Sequence, residues 1–273
     1  MSSTIPRVRM AGLAIPGNDM TLLQAIILGA VQGITEFFPI SSSGHLVIIQ
    51  GLFGMKEPML AFDIFLHLGT TAAVLIYFRK DIIDILTKDR RIALYIAVAS
   101  IPTFIIGFMF KEVVEELFTR PHIVGYMLLA TGALLITSSF YTRFTRREST
   151  KKIGWVNSLI VGTAQGIAII PGISRSGATI TSGILSGIDK EQAFKFSFLL
   201  SIPAVLGASV LKAPKIGAGL TSGEFIYFTV GALAAMIVGL FSVSVLLKIV
   251  KANKLYFFGI YCILAAALII VLL

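Results

Sequence analysis

Six ionisable side chains stand inside the apolar stretches of this 273-residue chain: Glu36, His45, Asp63, His67, Arg175 and Lys195. A charge at membrane depth is costly, so such residues usually face a partner or a polar cavity. Three of them sit where the apolar pattern breaks, in EFFPISSSGH (36–45) and IIPGISRSGAT (169–179). Arg175 offers a planar fork of donors matched to phosphate oxygens. Ser174, Ser176, Gly177 and Thr179 add hydroxyls and backbone N–H groups at the start of a half-helix, where anions are favoured. Ser41, Ser42, Ser43 and Gly44 repeat that design at the first break. The two turns together make a cradle for an anion and suit phosphate. Glu36 and His45 are more than anion binding requires. A carboxylate repels phosphate unless a divalent cation bridges the two. Histidine serves as acid, base or nucleophile, and a hydroxyl beside a base can attack. The set points to metal-assisted phosphoryl chemistry inside a membrane.

Plainer roles compete for the same residues. Glu36 and Arg175 could be a structural ion pair holding the breaks together. His45 could be a satisfied core histidine, and the serines could be small residues that let helices approach. Asp63 and His67, four apart, read first as a local pair near the outer end of a span, and second as site-lining. Lys195 reads as snorkelling to the surface. Residues 111–118 (KEVVEELF) read as an amphipathic interfacial helix.

The elements that must position these residues are legible from composition. Hydrophobic residues make up 56% of the chain and charged residues 14%, against about a quarter charged in soluble proteins. The chain is therefore an integral membrane protein. The net charge of +9 comes from short Lys/Arg patches between apolar stretches, which mark topology rather than nucleic-acid binding. Cys262 is alone, so neither a disulfide nor a thiolate metal site can form within one chain. Residues 1–20 carry no cleavable signal and read as a surface segment.

Six stretches are long enough to span: about 60–78, 92–110, 123–142, 192–211, 225–247 and 255–273. Residues 21–53 and 154–187 are apolar but broken in the middle by Pro, Gly and Ser, with flanks of half a span each. They read as re-entrant hairpins, whose irregular turns are tolerated at depth only against protein or a polar cavity. A shift of 133 places Gly29, Gln32, Gly33, Ile34, Ile40, Ser41, Ser43 and Gly44 on Gly162, Gln165, Gly166, Ile167, Ile173, Ser174, Ser176 and Gly177. The chain is thus one integral membrane domain, 1–273, built as a duplication: repeat one at about 21–142, repeat two at about 154–273. A hairpin returns to its own side and three spans then cross, so the second repeat is inverted. Such folds place their working site where the two breaks meet. Segments 79–91, 143–153 and 248–254 with Lys190 hold 14 Lys and Arg, against seven on the other face. The richer face is cytoplasmic, so both termini and the first hairpin's mouth are external.

QGITEFFPISSSGH (32–45) resembles the first signature of the bacterial undecaprenyl pyrophosphate phosphatase family, also called the bacitracin-resistance protein family. PGISRSGAT (171–179) is similar to its second signature. The likeness covers residues 20–273. It implies removal of the terminal phosphate from undecaprenyl pyrophosphate at the outer face of the bacterial cytoplasmic membrane. That reaction recycles the lipid carrier of cell-wall synthesis, and the divalent cation it needs is Mg²⁺ or Ca²⁺. By motif position, Glu36, His45, Arg175 and Ser42 are catalytic, and Glu36 is also the metal ligand. Gln32, Ser41, Ser43, Ser174, Ser176 and Thr179 surround the substrate. Gln32 replaces the Glu of many members, which places more weight on Glu36. The nucleophile stays open between Ser42, His45 and water. The implied partners are the lipid substrate and membrane lipids, with no nucleic acid and a homodimer as an option. On architecture alone, the rival is a secondary transporter or lipid-carrier flippase. The histidine beside Glu36 and the hydroxyl cluster argue for chemistry.

Overall fold

Local capping decides where the helices start. In the computed structural model, which describes residues 20–55, 59–117, 121–144, 152–216 and 222–272, Thr21 opens the first helix with a reciprocal capping box. Its hydroxyl accepts from Gln24 N at 3.2 Å, and Gln24 Oε1 accepts from Thr21 N at 2.7 Å. That helix, α1 (Leu22–Thr35), stops ahead of Pro39, whose ring disfavours helical backbone before it. The helices that follow are α2 (Ser42–Leu52), α3 (Leu60–Tyr77), α4 (Arg79–Thr87), α5 (Arg90–Met109), α6 (Lys111–Leu117) and α7 (Pro121–Phe144). The second half runs α8 (Trp155–Ile167), α9 (Arg175–Leu185), α10 (Lys190–Ile216), α11 (Ser222–Lys251) and α12 (Tyr256–Leu272). No strand occurs among the described residues. The surface segment read at 1–20 lies outside them up to residue 19, as do Lys56, Arg120, Arg146, Arg147 and Lys151 of the topology count.

Five described helices, α3, α5, α7, α10 and α11, are long and apolar enough to cross a membrane. The sixth expected span, α12, has 17 residues, the lower end of the spanning range. The four helices flanking the two breaks run 11 to 14 residues, half-spans as expected. Large apolar side chains lie outward along the spans, Phe108 and Val271 among the most exposed. A contiguous apolar exterior of this kind belongs in lipid. The chain is an all-α polytopic membrane protein.

The shift of 133 residues recurs in the element boundaries. It carries the first residue of α1, Leu22, onto Trp155 of α8, and that of α2, Ser42, onto Arg175 of α9. It recurs in packing too. A Cβ on Gly29 of α1 would lie 2.3 Å from Gly231 O of α11, and one on Gly162 of α8 would lie 2.0 Å from Ala99 O of α5. Each half therefore seats its leading half-helix on a span of the other half. Thr103 of α5 fastens the second contact, donating to Gly162 O at 2.8 Å and accepting from Gln165 Nε2 at 3.3 Å.

A ring cluster of Phe37, Phe78, Phe194 and Phe198 fills the interior between the first break, the end of α3 and α10, with Phe37 and Phe198 centroids 5.3 Å apart. Lys195 of α10 does more than snorkel. Its ammonium meets Asp81 of α4 at 3.0 Å and Glu191 at 3.7 Å, and Glu191 in turn meets Lys251 of α11 at 2.7 Å.

Candidate active site

The two breaks have similar sequences and different backbones. Ser174 has extended φ and ψ, and its hydroxyl caps α9 by accepting from Gly177 N at 3.1 Å. Thr131 of α7 braces this turn: its hydroxyl donates to Gly172 O and accepts from Ser174 N, both at 3.1 Å. Gly172 has φ +95, and a Cβ there would stand 2.6 Å from Val124 O, so the turn requires glycine. At the matching place in the first break, Ser41 itself takes φ +69 and makes no capping bond from its side chain. A left-handed non-glycine residue costs of order 1 kcal/mol or more and persists where its surroundings hold it.

These turns bring Glu36, at the end of α1, against Arg175, at the start of α9. Glu36 Oε1 accepts from Arg175 Nη2. Glu36 Oε2 accepts from Ser42 Oγ at 2.6 Å and from Gln32 Nε2 at 3.2 Å. The pair is mostly buried, with side-chain exposures of 8% for Glu36 and 19% for Arg175. The guanidinium also lies 5.9 Å from the Phe198 ring centroid, a cation–π distance. Among the described residues, Arg175 Nη1 and Gln32 Oε1 are buried without a hydrogen-bond partner. Ser139 Oγ and Gln165 Oε1 share that state elsewhere in the fold, but only at Glu36 do two such atoms flank a buried carboxylate, leaving a donor and an acceptor available to a ligand.

The remaining motif residues divide. Ser41, Ser174 and Ser176 are buried and engaged with their own turns: Ser174 Oγ lies 3.2 Å from Ser176 Oγ, and Ser41 Oγ lies 3.4 Å from Ser43 Oγ. The Thr179 hydroxyl donates to Arg175 O at 2.8 Å and contacts Ser197 of α10. It holds the first turn of α9, and with it Arg175, in place. His45 stands apart from the Glu36 cluster. Its Nδ1 meets Ser41 O at 2.7 Å and its Nε2 meets Tyr261 Oη of α12 at 2.7 Å. His45 and Tyr261 both line an apolar groove of about 490 Å³, walled by Ile34, Phe38, Ile49, Phe257 and Phe258. Serine and histidine share one face of α2, because Ser42 and His45 are three apart.

The i,i+4 spacing predicts a local Asp63–His67 pair, and the contacts differ. His67 Nδ1 donates to the Asp63 backbone carbonyl at 2.8 Å, while the Asp63 carboxylate accepts from Gln50 Nε2 at 2.7 Å. His67 Nε2 then lies 3.6 Å from Glu36 Oε2. Site-lining, the second of the two expectations for His67, matches this geometry.

Among the described residues, no three His, Cys, Asp or Glu side chains gather as a metal cage. The donors present are Glu36 Oε2, Ser42 Oγ and the unpartnered Gln32 Oε1. They are hard oxygens with one carboxylate. That set fits a Mg²⁺- or Ca²⁺-type ion completed by substrate phosphates rather than one bound by protein alone.

Residues 25–268 match the family model described as Bacitracin resistance protein BacA. The chain is 43% identical over 257 residues to an undecaprenyl-diphosphatase of Carboxydothermus hydrogenoformans, covering 93% of this chain and 98% of that one. It is 42% identical to one of Halothermothrix orenii over the same shares. An undecaprenyl-diphosphatase 1 of Shouchella clausii is 38% identical, across 92% of this chain and 96% of its own.

Proposed function

The chain belongs to the bacitracin resistance protein BacA family, and from that premise we propose that it hydrolyses undecaprenyl pyrophosphate to undecaprenyl phosphate and inorganic phosphate. The observation that carries the mechanism is the Glu36 carboxylate, held between Arg175 of one break and Ser42 of the other. Ser42 O–H already donates to Glu36 at 2.6 Å, so Glu36 can take that proton as Ser42 Oγ attacks the terminal phosphorus. The new Ser42–phosphorus bond replaces the bond to the bridging oxygen, and undecaprenyl phosphate leaves with that oxygen. Water then attacks the phosphoserine, giving inorganic phosphate, and the proton on Glu36 returns to Ser42. Arg175 binds the equatorial oxygens, where its free Nη1 adds a donor. Glu36 and Gln32 would hold the divalent cation. When bound, such a cation offsets the negative charge of the diphosphate.

The protein works in the bacterial cytoplasmic membrane, with the site and both termini at the external face. The positive-inside count supports that orientation, and the shared shift of helix starts and glycine contacts supports inverted repeats. The prenyl chain lies in the groove lined by His45, a residue three positions from Ser42 and on the same face of α2.

The test is phosphate release from undecaprenyl pyrophosphate by purified protein in detergent, with no membrane gradient. The wild type releases phosphate, EDTA stops it and Mg²⁺ or Ca²⁺ restores it. Ser42→Ala lowers kcat at least a hundredfold. A protein that only transports the lipid releases none. Near-normal turnover by Ser42→Ala removes Ser42 as nucleophile.

A further inference from the structure

His45 has both ring nitrogens engaged, and the identity of the partners fixes which nitrogen carries hydrogen. Ser41 O can only accept, so Nδ1 is the N–H. In the neutral ring, Nε2 is then an acceptor, and Tyr261 Oη at 2.7 Å donates to it. The two rings also stack, with centroids 5.8 Å apart and planes 16° from parallel. Tyr261 belongs to α12, 216 positions along the chain from His45. Its phenol lies in a helix that is otherwise apolar at that depth, where a hydroxyl is costly without a partner. Both residues line the apolar groove, and the Nε2 lone pair points to Tyr261 Oη rather than to the Glu36 carboxylate.

We propose that Tyr261 is a positioning residue for the phosphatase: with the tautomer already set by Ser41 O, the Tyr261 hydroxyl fixes the direction of the His45 ring, on the α2 face it shares with Ser42 and beside the groove that takes the prenyl chain. The proposal rests on the phosphatase reading for its kinetics and on the His45–Tyr261 bond alone for its spectroscopy. Tyr261 is distinct from the motif residues and lies outside both breaks. A groove-lining tyrosine would work through its ring, and a positioning tyrosine works through its hydroxyl. Tyr261→Phe separates them because it keeps the ring.

The chain has three histidines, so ¹⁵N-histidine labelling of the full protein in detergent gives three ring systems, with His45 assigned by its loss in His45→Gln. In Tyr261→Phe, the His45 Nε2 signal shifts while those of His67 and His122 stay, which also shows that the fold is intact. Turnover of undecaprenyl pyrophosphate drops roughly tenfold in kcat, the worth of one positioning hydrogen bond, with KM within about twofold. Tyr261→Leu, which removes ring and hydroxyl, loses at least as much kcat and raises KM. Unchanged His45 signals in Tyr261→Phe overturn the proposal, as does a rise in KM with kcat intact. A wild type that releases no phosphate overturns the phosphatase reading, while the ring signals still decide the bond.

Discussion

Removing Arg175 separates a structural ion pair from a catalytic one. The Glu36–Arg175 pair is mostly buried, and taking one partner from a buried pair costs about 3–5 kcal/mol because the other charge is stranded. Here Ser42, Gln32 and His67 remain around Glu36 Oε2, which places the electrostatic loss near 3 kcal/mol. Losing the guanidinium over Phe198 adds about 0.5–1 kcal/mol. Arg175→Met should therefore cost about 3–4 kcal/mol. At about 2–4 °C per kcal/mol, its melting temperature in detergent falls by roughly 6–16 °C. The double variant Glu36→Gln/Arg175→Met strands no charge, and neutral replacements of a buried pair are often harmless. It should melt within about 1 kcal/mol of the wild type. Phosphate release behaves differently: both the single and the double variant lose about 10³-fold or more, because parts of one catalytic unit are not additive. Melting curves and phosphate release on the same preparations make the comparison. If the double variant recovers turnover along with stability, the pair is structural and the mechanism above fails. If Arg175→Met melts with the wild type, the pair is not the buried contact described.

Two further outcomes follow from packing and topology. Gly162→Ala puts a Cβ 2.0 Å from Ala99 O, and α8 and α5 must separate. Overpacking of this kind costs about 1–3 kcal/mol, read as a lower melting temperature, whereas Gly154→Ala, with open space around its Cβ position, should stay near the wild type. A C-terminal reporter that is active only outside the cytoplasm, such as a periplasmic phosphatase fusion, should be active. Activity from a cytoplasm-only reporter at the same place would reverse the orientation.

The short helices and the breaks between them could be read from the chain because glycine, proline and serine are costly where they stand and so mark their positions. Glu36 and Arg175 were legible for the same reason, as charges in apolar runs. Other features left no such signal. Ser41 adopts φ +69 in a residue type that gives no hint of left-handed backbone, and that conformation brings its carbonyl to His45 Nδ1. His67 looked paired with Asp63 because i,i+4 carboxylate and imidazole suggest a side-chain contact. The ring instead bonds the backbone carbonyl, freeing Nε2 to reach Glu36. Tyr261 reads as one more aromatic in an apolar helix, and only tertiary packing shows its hydroxyl against a histidine from the other half. Snorkelling of Lys195 follows from its length alone, whereas its carboxylate partners come from α4 and from its own helix.

The crossed seating of α1 on α11 and α8 on α5 has a consequence for biogenesis. When α1 leaves the ribosome, its glycine face has no surface to settle on until α11 emerges about 190 residues later. At about 5–20 residues per second, the glycine face of α1 waits roughly 10–40 s without its partner. Newly made protein should then be most vulnerable to membrane proteases during synthesis of its second half. A gene cut between the halves should yield two fragments that accumulate only when made together.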